Sequence, residues 1–195
     1  NGYLTLGSLN GVGKVNDRVL LLWAEILNAL PTAKLRIAGT AHGRTRQRFI
    51  SILGAAGVTQ ERLEFLPHLP YLEYLSAISE VDIALDPFPY NGGTTSFDTL
   101  IMGVPLVTLV GERSIARGGF SILTNLGLLD LIATTPTEYI KIVCRLASDP
   151  DRLVDLRRTL RDKLRHSSLM DGQQFTLCLE TLYQEMWQAL RNCKQ

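Results

Sequence analysis

The chain has 195 residues, enough for one ordinary domain or two small ones, and is 46% hydrophobic and 20% charged, the balance of a folded globular protein. A formal net charge of +1 excludes a broad electrostatic attraction to nucleic acid or to an acidic membrane surface. No apolar run reaches the roughly 18 residues that a membrane span needs.

Residues 3–7 (YLTLG) read as a short strand ending in glycine. With no initiator Met and a strand already at this point, the chain is expected to be a piece of a longer protein without a signal sequence. A Gly-rich loop leads to residues 16–31 (NDRVLLLWAEILNALP), where apolar residues recur at helical spacing between an Asn or Asp cap and a terminating Pro. Residues 34–39 (KLRIAG) form a second strand, and 45–57 (TRQRFISILGAAG) a second helix. A third strand at 62–67 (RLEFLP) precedes a short helix at 71–79 (YLEYLSAIS). A fourth strand, 81–86 (VDIALD), runs into the bend PFPYNGGTTSFD, and a fifth, 105–110 (PLVTLV), follows. From Glu112 the pattern is almost wholly helical, over about 114–127, 136–148, 150–165 and 172–191, with LIA at 131–133 as one more edge strand.

Parallel strands require such crossovers, and strands apolar on both faces require cover on both sides. The expected fold is therefore α/β, a doubly wound parallel sheet. One domain is expected over 1–195, an α/β core at 1–134 with a helical extension at 135–195. Cys144, Cys178 and Cys193 are odd in number, far apart and in helical patterns. They point away from a disulfide framework and towards a reducing, cytoplasmic setting. No CxxC pair or His/Cys cluster marks a metal site, and His42, His68 and His166 lie apart.

Ligands of open parallel sheets bind beyond the carboxyl ends of the strands. Two loops stand out there. The first, GSLNGVGKVND, fits neither a Walker A loop nor a dinucleotide GxGxxG. It offers Asn10, Gly11, a flexible backbone and one cation, Lys14, which is either a donor to a phosphate oxygen or a surface lysine. In the second loop, Asn91, Gly92 and Gly93 allow a tight bend and close approach of backbone to ligand. Thr94 and Thr95 open a helix there, where unpaired amides and the dipole favour an anion. Asp98, one turn on, is placed to accept from two ribose hydroxyls. An alternative stands beside this: residues 95–98 approximate a capping box, with Asp98 serving only the helix dipole. Arg117, before Gly118 and Gly119, breaks a helical run and either reaches the substrate region or is solvated. Arg44, Arg46 and Arg48 crowd a helix start, where a nearby anion or simple solvation must offset the dipole.

From VDIALDPFPYNGGTTSFDTLIMGVP to TTPTEYI, the chain resembles the catalytic C-terminal part of the SPINDLY and O-linked N-acetylglucosamine transferase family, above all its bacterial members with tetratricopeptide repeats. The resemblance implies the C-terminal, sugar-nucleotide-binding lobe of a GT-B glycosyltransferase, with trailing helices that pack back towards the other lobe. It implies inverting transfer of N-acetylglucosamine from UDP-GlcNAc to Ser or Thr hydroxyls of proteins, with no metal or other cofactor. Lys14 matches the lysine that steadies the leaving diphosphate, Thr94 and Thr95 the phosphate-binding pair, and Asp98 the ribose carboxylate. Animal enzymes have Gly-His-Thr-Thr where this chain has Gly92-Gly93-Thr94-Thr95. They carry lysine and histidine where it has Tyr71 and Tyr74, and glutamine where it has Gly11. Pro67, His68 and Leu69 are expected to line the base pocket. These departures leave the donor open, because SPINDLY uses GDP-fucose and other relatives UDP-glucose. The partners implied are a nucleotide sugar, an acceptor protein, the other GT-B lobe and the repeats. Two other readings are a scaffold module without catalysis and an epimerase built on the same lobe.

Overall fold

The computed structural model describes residues 2–40 and 42–192, so Cys193 lies outside the described residues. The strands are β1 (Thr5–Ser8), β2 (Lys34–Ile37), β3 (Leu63–Phe65), β4 (Ile83–Leu85), β5 (Leu106–Leu109) and β6 (Ile132–Ala133). All pair in parallel, in the order β3-β2-β1-β4-β5-β6. The expected doubly wound parallel sheet is present, with the short LIA run as its edge. Strand order reverses between β1 and β4, so the topological switch point lies between these two strands.

Local signals set the helix ends. The helix α1 (Asp17–Ala29) begins at Asn16, whose side chain accepts the Val19 amide. The helices α2 (Gly43–Ala55), α3 (Tyr71–Ser79), α4 (Thr94–Ile101) and α5 (Gly118–Asn125) follow the strands in turn. A capping box opens α6 (Pro136–Ala147): Thr135 accepts the Glu138 amide, and the Glu138 carboxylate reaches back to the Thr134 amide. Asp149 caps α7 (Pro150–Arg165). The helix expected over 114–127 is divided. Residues 114–116 make one 3₁₀ turn, and α5 starts only at Gly118, because the Gly111 amide binds the Ala116 carbonyl and folds the first turn back.

Helices flank the sheet in two groups. One is α1 with α2 and α6; the other is α4 with α3 and α7. A continuous apolar core runs from Leu6 to Leu164, and burial of such surface supplies the main drive to fold. α6 covers β5 and β6 and plants Tyr139 in the core, fully buried. By contrast α8 (Gly172–Asn192) has no buried residue, and Phe175, Tyr183, Met186 and Trp187 stand exposed along it. Among the described residues no helix is long and apolar enough to cross a membrane, and Cys144 and Cys178 are free thiols.

Candidate functional site

The loops that leave β1 and β4 flank the switch point and are bound to each other. The Lys14 ammonium donates to the Asn91 carbonyl at 2.9 Å and to Asn10 Oδ1 at 3.4 Å, and lies 4.4 Å from the centre of the Tyr90 ring. The Asn16 side-chain amide donates to the Phe88 carbonyl at 2.8 Å, so the residue that caps α1 also ties down the second loop. Asn91 is itself buried, its amide group bonded to the Pro87 carbonyl at 3.0 Å and its backbone N–H to the Ile115 carbonyl.

The bend at Gly92 depends on the missing side chain. A Cβ there would fall 2.2 Å from Ser96 Oγ and 3.2 Å from both Asn10 and Asp86 oxygens. Gly93 is the N-cap of α4, with no side chain capping the helix. The first amides of α4, those of Thr94 and Thr95, therefore have no intrahelical acceptor. Around this tip Ser8 Oγ, Asn91 Oδ1 and Ser96 Oγ are buried without a hydrogen-bond partner. Unpaired buried polar atoms are rare in folded proteins and ask for an explanation, of which a ligand is one.

The capping-box alternative for residues 95–98 is not realised. The Asp98 carboxylate, 8% exposed, accepts from the hydroxyls of Tyr71 at 3.4 Å and Tyr74 at 3.2 Å instead of from its own backbone. The two rings stack with centroids 6.2 Å apart. Burial, together with the Asp98 carboxylate, pushes the Tyr74 phenol up to about 12, and the Asp98 charge raises that of Tyr71.

Beside the tip opens a largely apolar cleft of about 840 Å³. The loop after β1 supplies Leu9, Asn10, Gly11 and Val12 to it; Ala38 and Gly39 follow β2; Pro67, His68 and Leu69 follow β3; Tyr71 and Tyr74 close it from α3. Pro67, His68 and Leu69 thus lie together in this cleft, which adjoins the Asp98 carboxylate through the two tyrosines.

Arg117 does not line this cleft. It is exposed, its guanidinium bound to the Gly111 carbonyl at 3.2 Å and lying over the Phe120 ring at 4.6 Å. Arg48 pairs with Asp17 in the first turn of α1, and Arg46 lies over the Phe65 ring, so protein groups answer for two of the three arginines on α2. Sequence reasoning missed Asp86, Thr108 and Tyr139, which form a buried polar cluster directly behind the Gly92 bend. The signal available for Asp86 was a carboxylate closing an apolar strand.

The model of the family described as glycosyl transferase family 41 matches residues 4–179. The chain belongs to glycosyltransferase family 41. SPINDLY of Petunia hybrida is 41% identical over 190 residues, which are 96% of this chain and 20% of that protein. The UDP-N-acetylglucosamine–peptide N-acetylglucosaminyltransferase of Caenorhabditis elegans is 28% identical over 180 residues, 92% of this chain and 16% of that one. The solved structure of a K341M mutant of the O-GlcNAc transferase of Thermobaculum terrenum superposes with a TM-score of 0.90 at 41% identity, over 96% of this chain and 36% of that one. This family 41 chain thus spans about a fifth of the length of the curated relatives it matches.

Proposed function

We propose that this chain is the sugar-nucleotide-binding lobe of a protein O-glycosyltransferase that moves N-acetylglucosamine from UDP-GlcNAc to serine or threonine hydroxyls, with inversion and without a metal. The observation that carries the reading is the placement of the Lys14 ammonium on the Asn91 carbonyl, at the tip of α4 and the switch point of the sheet. Two acceptors, Asn91 O and Asn10 Oδ1, hold the ammonium, and its third N–H remains for a phosphate oxygen. In this reading the leading amides of α4, with the hydroxyls of Thr94 and Thr95, add donors for the same phosphates. As the glycosidic bond breaks, negative charge grows on the departing diphosphate, and fixed donors with a cation stabilise it without rearranging. Asp98 binds the ribose hydroxyls in place of the two tyrosine hydroxyls, whose long bonds are readily exchanged. The base enters the cleft against Pro67, His68 and Leu69.

The acceptor hydroxyl and the groups that activate it belong to a second lobe, and tetratricopeptide repeats select the acceptor protein. The row of exposed apolar side chains on α8 supports such a packing partner. The chain alone is expected to bind a nucleoside diphosphate weakly and to transfer no sugar. Membership of family 41 and the lysine seat support a glycosyltransferase over an epimerase or a bare scaffold.

The runner-up keeps the lobe and changes the donor to GDP-fucose or UDP-glucose. Gly11, Tyr71, Tyr74 and Gly93 favour it, because all four departures from the animal pattern fall at or beside the cleft. Thermal denaturation with UDP, GDP, UDP-GlcNAc and UDP-glucose decides, since a ligand that binds the native state raises Tm. UDP and UDP-GlcNAc are expected to stabilise most. A larger shift with GDP overturns the donor assignment, and no shift with any of the four overturns the nucleotide site.

A further inference from the structure

Asp86 stands directly after β4, and its carboxyl is fully buried. No step described above uses it. One oxygen accepts the Gly92 N–H at 2.7 Å, and the other accepts the Thr108 hydroxyl, also at 2.7 Å. Two glycines close around it. A Cβ on Gly92 would lie 3.2 Å from Oδ1, and one on Gly119 only 2.6 Å from Oδ2. From α6, the Tyr139 hydroxyl donates to the main-chain carbonyl of Asp86 at 3.2 Å. Gly92 lies between Asn91, the seat of Lys14, and Gly93, the N-cap of α4. The Asp86–Gly92 bond therefore holds the short stretch that sets the lysine and the helix tip relative to each other.

We propose that Asp86 is the positioning residue of the anion site: its carboxyl fixes the Gly92 amide, and its charge competes with an incoming anion for Lys14. The second half rests on reading the α4 tip as a diphosphate subsite.

The titratable groups that act on this carboxyl are Lys14 from the loop after β1 and Tyr139 from α6; Gly92, Thr108 and Gly119 are uncharged. Burial pushes the Asp86 carboxyl up to about 7, while the Gly92 amide, the Thr108 hydroxyl and the Lys14 ammonium oppose the rise. Burial holds the Tyr139 phenol well above its usual range, so it stays neutral. A protonated Asp86 keeps one oxygen on the Gly92 amide and turns its O–H to Thr108 Oγ, which then accepts. The loop keeps its shape and the negative charge disappears. An ionised Asp86 lowers the positive potential at Lys14. Anion affinity therefore falls as pH rises through about 7, and anion binding draws a proton onto Asp86.

UDP titrations by calorimetry on the wild type, Asp86→Asn and Asp86→Ala test this, with the Gly92 amide followed by NMR in the ligand-free proteins. Between about pH 6 and pH 8, wild-type affinity is expected to fall at least about fivefold relative to Asp86→Asn, in which the neutral amide imitates the protonated acid. Ionisation of UDP itself affects both proteins alike. Asp86→Ala is expected to bind about tenfold more weakly than Asp86→Asn at every pH, since both lack the charge and only Asn holds the Gly92 amide. The Gly92 amide is expected to titrate near neutrality in the wild type and to stay fixed in Asp86→Asn. If Asp86→Ala does not fold, Thr108→Val serves: losing one donor should move the Gly92 midpoint upward. A Gly92 amide insensitive to pH, a folded Asp86→Ala that binds UDP like Asp86→Asn, or an Asp86→Asn that follows the wild-type pH curve overturns the proposal. Wild type that binds no UDP but shows a titrating Gly92 amide overturns the diphosphate subsite and the charge competition, and leaves the loop-fixing role supported.

Discussion

The Lys14 ammonium donates to the Asn91 carbonyl across 77 residues of chain. That bond joins the two loops at the switch point and seats a cation on the stretch that leads into α4. Each loop alone is an ordinary turn, and the diphosphate site proposed above needs both.

Lys14→Ala should weaken UDP binding by about tenfold to a hundredfold, the range of a lost hydrogen bond to a charged group. Its side chain is only partly buried, so stability should change little. Calorimetry with UDP and a urea melt measure the two separately. Unchanged affinity in a folded variant removes Lys14 from the site.

Tyr71→Phe and Tyr74→Phe should leave UDP affinity within about threefold, because ribose hydroxyls replace the phenols on Asp98. Asp98→Ala should lose about tenfold or more, since nothing else there accepts from the ribose. If both phenylalanine variants lose as much as Asp98→Ala, the tyrosines bind the nucleotide themselves.

Gly119→Ala places a methyl 2.2 Å from Thr108 Oγ1 and 2.6 Å from Asp86 Oδ2, in a cluster with no room to retreat. It should destabilise the fold by about 1–3 kcal/mol, as overpacking does. Gly93→Ala meets nothing within 4 Å, so it should cost only what Ala costs at an N-cap, about 1 kcal/mol or less. Chemical denaturation of both variants checks the contrast.

Stability should also carry the mark of Asp86. Its carboxyl is raised in the folded chain from 3.8 to about 7, so the folded state holds a proton that the unfolded state releases. The resulting contribution is full below about pH 4 and is lost as pH rises to about 7, a change on the order of 4 kcal/mol at most. Asp86→Asn should lack that slope. Urea melts of the two proteins at several pH values, compared as a difference, isolate it; parallel curves would place the Asp86 carboxyl in its ordinary range.

Much of this protein was legible from residues alone, where the signal is local. Short apolar runs marked six strands and a period of 3.6 marked most of the helices, because burial on a strand or helix face depends on neighbours a few positions away. The cap at Asn16 and the Pro at the start of α6 and α7 belong to the same class. The resemblance carried by NGGTT and MGVP led to family 41. Other features were decided only when distant segments met. Thr95 to Asp98 approximates a local capping rule, yet Tyr71 and Tyr74 arrive from α3 and take the carboxylate. Arg117 turns to its own loop because the chain folds back at Gly111. Asp86 is one acid at the end of an apolar strand until Gly92, Thr108 and Tyr139 close around it. Sequence reports what a residue prefers among its near neighbours; hydrogen bonds and desolvation depend on what is packed against it, and parallel pairing brings that from far along the chain.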